Sequence, residues 1–451
     1  MILLDDLQEH QKIDNLKEYL TNKKIDNAEV IKEKLISNED TLKEYSIIIN
    51  NNRLETEYYI GLCVIDDIVI KINPKFNNDN IKIDIMQMMY ECLNHNIVSK
   101  HLSECYKIYY NEPPVKIYNN ICSDLYLFVI HRYVTVLKDT IKHGLYKSFY
   151  KEENILKGRI KGKLLINDTI NIHLKENIKL KNKCIYEIHD VNNIENQILK
   201  YALQKAEIFS LESKNPGLYK NICVLKEKFN NVDNKIIKEI DFKKVNKKII
   251  HKGYKESLRL AYEVIKILDK NIYDNEKESN IYPFYINLPE LFERYCEVKL
   301  REHISSLKVG YTKGDRDSQT ATKAQRPDFI ISKDGLETKP YILDSKYSIK
   351  YADIEKQNDT DKLINDKISK IKDHLQQLSL YARTKKIQEY ANAYNSSEIN
   401  LCILYPVVNQ AYTEYNFKNM IDEAGIEDKY LSKNIEQLYY IPIKLPLLNK
   451  I

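Results

Sequence analysis

Asp328, Asp344 and Lys346 are the residues of this chain whose types and spacing could do chemistry together. The text reads Arg326-Pro-Asp-Phe-Ile-Ile-Ser332, then a turn-prone gap, then Tyr341-Ile-Leu-Asp-Ser-Lys-Tyr347. Two carboxylates and an ammonium in that arrangement suit phosphodiester hydrolysis around Mg²⁺, a hard cation that takes oxygen ligands, keeps several waters and completes its shell with substrate phosphate. Lys346 would position or activate the attacking water and stabilise charge on the phosphate. Carboxylates about 4 Å apart repel by roughly 4 kcal/mol at an effective dielectric near 20, so the pair must share a proton or bind a cation. An Asp-x-Lys or Glu-x-Lys triplet arises on the order of ten times by chance in a chain this rich in charge. The same residues also make an ordinary strand-pair salt bridge, so the reading depends on the elements around them.

Both flanks are short apolar, β-branched and aromatic runs bounded by breakers such as Asp334-Gly335, which predicts two neighbouring antiparallel strands. Side chains two apart on a strand share a face, so Asp344 and Lys346 point one way and Ser345 the other. A loop centred near residue 336 sets Asp328 opposite Asp344, whereas a tight turn at Asp334-Gly335 offsets them by about three residues. Upstream, Asn287-Leu-Pro-Glu290 approximates a capping box, and Leu288, Leu291, Phe292 and Tyr295 form a helical stripe. Glu293 flanks that stripe, where it could reach an active site or simply face solvent. Downstream, a helix is predicted over about 361–383, with Ile364, Ile368, Ile371, Leu375, Leu378 and Ala382 as its buried stripe. Gln377 and Tyr381 share a face beside it, placed either to orient the lysine or touch a DNA strand, or as plain helix surface. Ile399-Asn-Leu-Cys-Ile-Leu-Tyr-Pro406 reads as a further inner strand, giving an α/β sandwich with its site at one sheet edge.

The 451 residues allow two or three domains. A formal charge of +5, from 70 basic and 65 acidic residues, permits nucleic-acid contact through local patches without arguing for it. Eight scattered cysteines with no Cys-x-x-Cys pair exclude a zinc ribbon and fit reduced thiols in a cytoplasm. The start, Met-Ile-Leu-Leu-Asp-Asp, is unlike a signal peptide, and the apolar stretch Leu125–Leu137 is broken by His131 and Arg132 and too short to span a bilayer. A cytoplasmic protein without membrane contact is expected. Residues 1–45 read as a charged extension with short surface helices at Leu16–Leu20 and Val30–Leu35. Strands follow at Tyr45–Ile49, Tyr58–Ile65 and Ile68–Lys75, with a turn at Asp66-Asp67, and helix over 83–145 capped at Ser123 or Asp124. Lys157-Gly-Arg-Ile-Lys-Gly-Lys163 has glycines one residue too close for a phosphate loop and Leu164 where Ser or Thr should stand. Helices continue at Asn193–Phe209 and Tyr254–Leu268, and the polar stretch Asn271–Asn280 reads as the main boundary. The expected domains are 1–45, a partner-binding 46–165, a helical middle 166–280 and a C-terminal 281–451.

With these residues assembled, the C-terminal part resembles the PD-(D/E)xK nuclease superfamily: Glu293 looks like its first-helix acid, Asp328 and Asp344-Ser-Lys346 match the core motif, and Gln377 with Tyr381 matches the Gln-x-x-x-Tyr of the RecB-like branch. Tyr59-Ile-Gly-Leu-Cys-Val-Ile65, Ile70-Lys-Ile-Asn-Pro-Lys75, Gly144-Leu145 with Tyr150, Gly158-Arg159-Ile160, Glu187–Asp190 with Asn196–Lys200, and Phe284–Glu293, in that order, resemble the McrC family. The resemblance implies an α+β multidomain chain, an N-terminal β-rich plus helical region before an α/β restriction-endonuclease-like core. It implies the DNA-cutting subunit of a modification-dependent (type IV) restriction system that engages and stimulates McrB, a hexameric AAA+ GTPase reading methylated cytosine in double-stranded DNA. Asp328, Asp344 and the Ser345 carbonyl would bind Mg²⁺ (or Mn²⁺), Lys346 would serve the water, Glu293 would assist, and Gln377 and Tyr381 would support the site or touch DNA. Two other readings stay open: a stand-alone nuclease of the superfamily in DNA repair or RNA processing, and an NTPase-activating or DNA-docking adaptor with a vestigial site.

Overall fold

The computed structural model describes residues 2–25, 27–78, 80–117, 120–176, 180–212, 215–245, 252–269, 279–303, 327–331, 341–348, 374, 377–378, 399–408, 425–426 and 435–448. The chain is a mixed α+β protein that divides into two compact units, Met1–Val115 with Tyr282–Ile451, and Lys116–Ile281. The divisions read from sequence at 45 and 165 fall inside these units.

In the first unit, a five-stranded sheet runs in the order Ile2–Gln8, Ile68–Asn73, Tyr59–Ile65, Phe284–Asn287, Tyr106–Ile108. Ile2–Gln8 and Ile68–Asn73 are parallel; the other pairs are antiparallel. The Asp66-Asp67 turn joins Tyr59–Ile65 to Ile68–Asn73, Ile65 pairing with Ile68 and Asp66 taking the left-handed φ of 52° that a two-residue turn favours. The strand Ile2–Gln8 corrects the reading of residues 1–45 as an extension: it forms an edge of this sheet, with Leu4 and Leu7 buried. Short helices do follow at Leu16–Asn22 and Ala28–Ser37. The span 83–145 is not all helix, since Tyr106–Ile108 and Val115–Ile117 are strands and the long helix starts at Asn120, ahead of the expected cap.

A second five-stranded sheet lies in the same unit, ordered Phe329–Ile331, Tyr341–Ser345, Ile399–Val407, Ile435–Lys444, Gly425–Ile426. Its three middle strands are parallel and its outer two antiparallel. Ile399–Val407 is buried along its whole length, as an inner parallel strand covered on both faces must be. The helix Leu288–His303 begins immediately after Phe284–Asn287 and packs on Ile85–Asn94 and on Tyr341–Ser345. Leu288, Leu291, Phe292 and Tyr295 are all buried, and Asn287 Oδ1 accepts from the Glu290 amide at 3.2 Å, so the cap and stripe form as predicted. Of the helix predicted over 361–383, His374, Gln377 and Leu378 are described, and all three are helical.

The second unit combines helices Asn120–Thr140, Ile194–Glu212, Pro216–Glu227 and Lys252–Asp269 with an antiparallel sheet ordered Lys163–Leu164, Lys181–Asp190, Ser148–Lys157. This sheet corrects the purely helical reading of 166–280. Lys151, Glu152 and Glu153 stand in succession on one of its long strands, and the other buries only Cys184, so neither announces itself as a half-buried strand. The Lys157–Lys163 segment links two strands and precedes no helix directly, which agrees with rejecting it as a phosphate loop. Among the described residues no helix is long and apolar enough to cross a membrane.

Gly61 marks where the first sheet is tightest. It pairs with Tyr285 at φ 143°, and a Cβ there would lie 2.2 Å from the Phe284 carbonyl oxygen. Gly61→Ala should lower stability by about 3 kcal/mol, through strain and separation of the two strands. Thermal denaturation checks it against Gly217→Ala in the helix Pro216–Glu227, which meets only Asn215 Oδ1 at 3.8 Å and should melt at or slightly above the parent.

Candidate active site

Register brings the two acids together. Phe329 pairs with Leu343, and one step further along the same antiparallel ladder Asp328 stands opposite Asp344. This is the arrangement of a connection centred on 336; the three-residue offset of a tight turn is not adopted. Asp344 is the penultimate residue of Tyr341–Ser345 and is 2% exposed. Lys346 follows the strand end, its amide donating to the Leu404 carbonyl at 2.8 Å. Its Nζ lies 2.5 Å from Asp344 Oδ2 and donates to Gln377 Oε1 at 3.0 Å. Asp344 and Lys346 thus meet on one face, and Gln377 reaches the lysine from a different helix.

Ser345 behaves differently from its expected opposite orientation. Its amide and hydroxyl both donate to Asp328 Oδ2, at 2.7 and 2.5 Å. The strand ends at Ser345, so the alternation of faces ends there as well and the side chain is free to turn toward the acid. Ser345 therefore clamps Asp328 through two hydrogen bonds.

Glu293 enters from the helix Leu288–His303. It lines the same cleft of about 300 Å³ as Asp328, Asp344, Ser345, Lys346 and Gln377. Arg294, beside it, bridges Glu290 at 2.7 Å, Glu293 at 3.2 Å and Glu297 at 3.5 Å. That ladder draws three carboxylates along one helix and fixes where Glu293 stands. Tyr381 lies outside the described residues. Sequence reasoning placed none of Tyr58, Asn287, Pro289 and Glu290 at the site, though all four line the cleft. Asn287 was legible as a helix cap; Tyr58 carried no signal, because it stands far upstream, just before the strand Tyr59–Ile65.

Electrostatics set what this cleft will bind. Burial, then the charge of Asp328, push the Asp344 carboxyl up to about 6, against the pull of Lys346. Burial also raises Asp328, opposed by the hydrogen bonds from Ser345. Asp344 Oδ2 is buried and paired with the Lys346 ammonium at 2.5 Å. Two neighbouring acids, Asp344 buried and Asp328 half-buried, both raised by desolvation, fit a divalent cation. No three His, Cys, Asp or Glu side chains converge as a metal cage among the described residues. That is compatible with Mg²⁺, which one or two carboxylates hold while waters and substrate oxygens fill the rest.

The chain matches the family model described as McrBC 5-methylcytosine restriction system component over residues 54–402. Among solved structures it is similar to a half-complex from a tetradecameric assembly of Thermococcus gammatolerans McrB AAA+ hexamers with bound McrC, at 15% identity and a TM-score of 0.42, covering 98% of this chain and 94% of that one. A cryo-EM structure of the Thermococcus gammatolerans McrBC complex matches at 16% identity and a TM-score of 0.32, covering 67% of this chain and 88% of that one. No curated protein matches.

The raised carboxyl of Asp344 has a stability consequence. Its folded pKa, about 6, exceeds the ordinary 3.8, so the folded state holds the proton more tightly and loses stability as pH rises between those values. Asp344→Asn removes the ionisation. In EDTA the variant should melt above the parent at pH 7.5 and alongside it near pH 4. Added Mg²⁺ should stabilise the parent alone. Melting curves at the two pH values, with and without the cation, check this.

Proposed function

The chain belongs to the family of McrBC 5-methylcytosine restriction system components, and on that premise we propose that it is the Mg²⁺-dependent DNA-cutting subunit of a modification-dependent restriction complex. The observation that carries the reading is the convergence of Asp328, Asp344, Lys346 and Glu293, drawn from two strands, a strand end and a helix, on one cleft. The order of helix, antiparallel strand pair and inner parallel strands supports a PD-(D/E)xK core.

Asp328 and Asp344 would hold the cation, with the Ser345 carbonyl as a third oxygen. A bound Mg²⁺ supplies Lewis-acid polarisation of the scissile phosphate and lowers the pKa of a coordinated water. Lys346 Nζ, held by Asp344 and Gln377, orients a water and places positive charge beside the phosphate oxygens. Glu293, which lines the same cleft, would assist by accepting a proton from that water. Ser345 holds Asp328 in place and favours its charged form against burial by donating two hydrogen bonds to one oxygen. The substrate is double-stranded DNA, methylated where the partner reads it.

The partner would be an McrB-like AAA+ GTPase hexamer, whose hydrolysis this chain stimulates. The segment 148–180 supports a docking role, because Phe149, Ile160, Leu174 and Leu180 are each more than half exposed. Apolar side chains crowded on one small sheet and helix are the kind of surface that a protein partner covers.

Asp344→Ala in the complex with the GTPase tests the reading. Cleavage of methylated plasmid should fall roughly a hundredfold or more, while complex formation and GTP hydrolysis persist. Undiminished cleavage would refute the site; loss of assembly would mark Asp344 as structural. Cutting by the isolated chain without nucleotide would instead favour a stand-alone nuclease.

A further inference from the structure

Directly behind Lys346 lies a cluster that the nuclease chemistry leaves unused. Glu9 follows the strand Ile2–Gln8, Lys75 follows the strand Ile68–Asn73, and Tyr347 follows Lys346. The amide of Lys75 donates to a Glu9 carboxylate oxygen at 3.2 Å, and its Nζ donates to the Tyr347 carbonyl at 2.8 Å. The same ammonium stands 4.3 Å from the centre of the Tyr347 ring. That ring also meets Phe76 and, on the helix carrying Glu293, Phe292. Glu9 is 2% exposed and Tyr347 9% exposed.

A carbonyl one residue beyond Lys346 is a sensitive place to attach a cation. The sheet has ended, and the chain turns sharply, with the Ser348 amide donating back to the Lys346 carbonyl at 2.8 Å. Displacement of this turn would carry the Lys346 backbone, and its ammonium with it, away from Asp344 and Gln377. The hydrogen bond from Lys75 to the Tyr347 carbonyl opposes that displacement. Burial pulls the Lys75 ammonium down, and the nearby Glu9 carboxylate counters it.

We propose that Lys75 is a positioning residue for Lys346, holding the Tyr347 carbonyl in the turn that follows it so that the Lys346 ammonium stays between Asp344 and Gln377. The inference rests on the nuclease reading above. It makes the amino-terminal sheet a working part of the cutting site, with Glu9 as the counter-charge that keeps Lys75 folded in.

The test separates positioning from mere charge balance. Lys75→Met alone strands Glu9 without its counter-charge, so the decisive chain is Glu9→Gln with Lys75→Met, which is neutral and keeps both shapes. Each is assembled with the GTPase partner and compared with the parent and with Asp344→Asn. Cleavage is followed under single turnover at a temperature well below every melting point, so that all chains are folded. The double variant should bind DNA and stimulate GTP hydrolysis as the parent does while its cleavage rate falls roughly ten- to a hundredfold, the scale of a displaced reacting group. Parental cleavage by the double variant beside an inactive Asp344→Asn overturns the role of Lys75 alone. Cleavage by Asp344→Asn overturns the nuclease reading itself. A double variant that loses DNA binding in proportion to its rate also overturns the proposal, since positioning acts on the chemical step.

Discussion

The geometry of the site depends on the opposition of Asp328, half-buried, and Asp344, buried. Antiparallel pairing of Phe329 with Leu343 leaves the next residue of each strand no choice but to face the other. Both are acids, and burial raises the carboxyls of both. Left alone, such a pair would drive the strand ends apart or stay protonated. Compensation comes from two sides: Ser345 gives Asp328 two hydrogen bonds, and Lys346 gives Asp344 an ion pair. Compensation is incomplete, since both carboxyls still stand above the ordinary range. A site tuned only for stability would have replaced one of the acids. The repulsion that remains suits the pair to a divalent cation.

The strands that carry this pair were legible because they are short continuous apolar runs ended by charged residues, and the midpoint of their connection gave the register. Gln377 was legible through helical spacing. The strand Ile2–Gln8 was hidden for a definite reason. Its buried Leu4 and Leu7 are three apart, a spacing that fits no regular strand, and the register shift between them restores both to the sheet. Asp5 and Asp6, carried on the shifted segment, make it read as a charged tail. Tyr106–Ile108 is too short to show any period, and Ser148–Lys157 buries so little that its sequence looks like surface. The turn of Ser345 toward Asp328 could not be read either, since alternation holds only while the strand continues.

Folding also explains why residues so distant in the chain serve one cleft. Phe284–Asn287 is flanked by Tyr59–Ile65 and Tyr106–Ile108, and it runs straight into the helix that carries Glu293. The Asn287 amide donates to the Cys105 carbonyl at 2.8 Å while its side chain caps that helix. The start of the helix is therefore set by the amino-terminal sheet, and Tyr58, at the edge of the same sheet, becomes part of the cleft wall. The acid on the helix and the acids on the strands belong to different sheets, joined by the packing of that helix on Tyr341–Ser345.

Placing the lysine just past a strand end has its own logic. Within a strand, both backbone groups of each residue are committed to neighbours and the side chain is held in the pleat. Past the end, one amide of Lys346 still anchors to Leu404, while the following peptide is free of the ladder. That freedom lets Ser345 turn its hydroxyl to Asp328 and lets Lys346 reach both Asp344 and Gln377, which no regular strand geometry would allow at adjacent positions. The cost is a pivot beside the reacting groups. The cation from Lys75 on the next peptide carbonyl restrains that pivot without restoring the ladder. The site gains the reach of a loop and keeps much of the rigidity of a sheet.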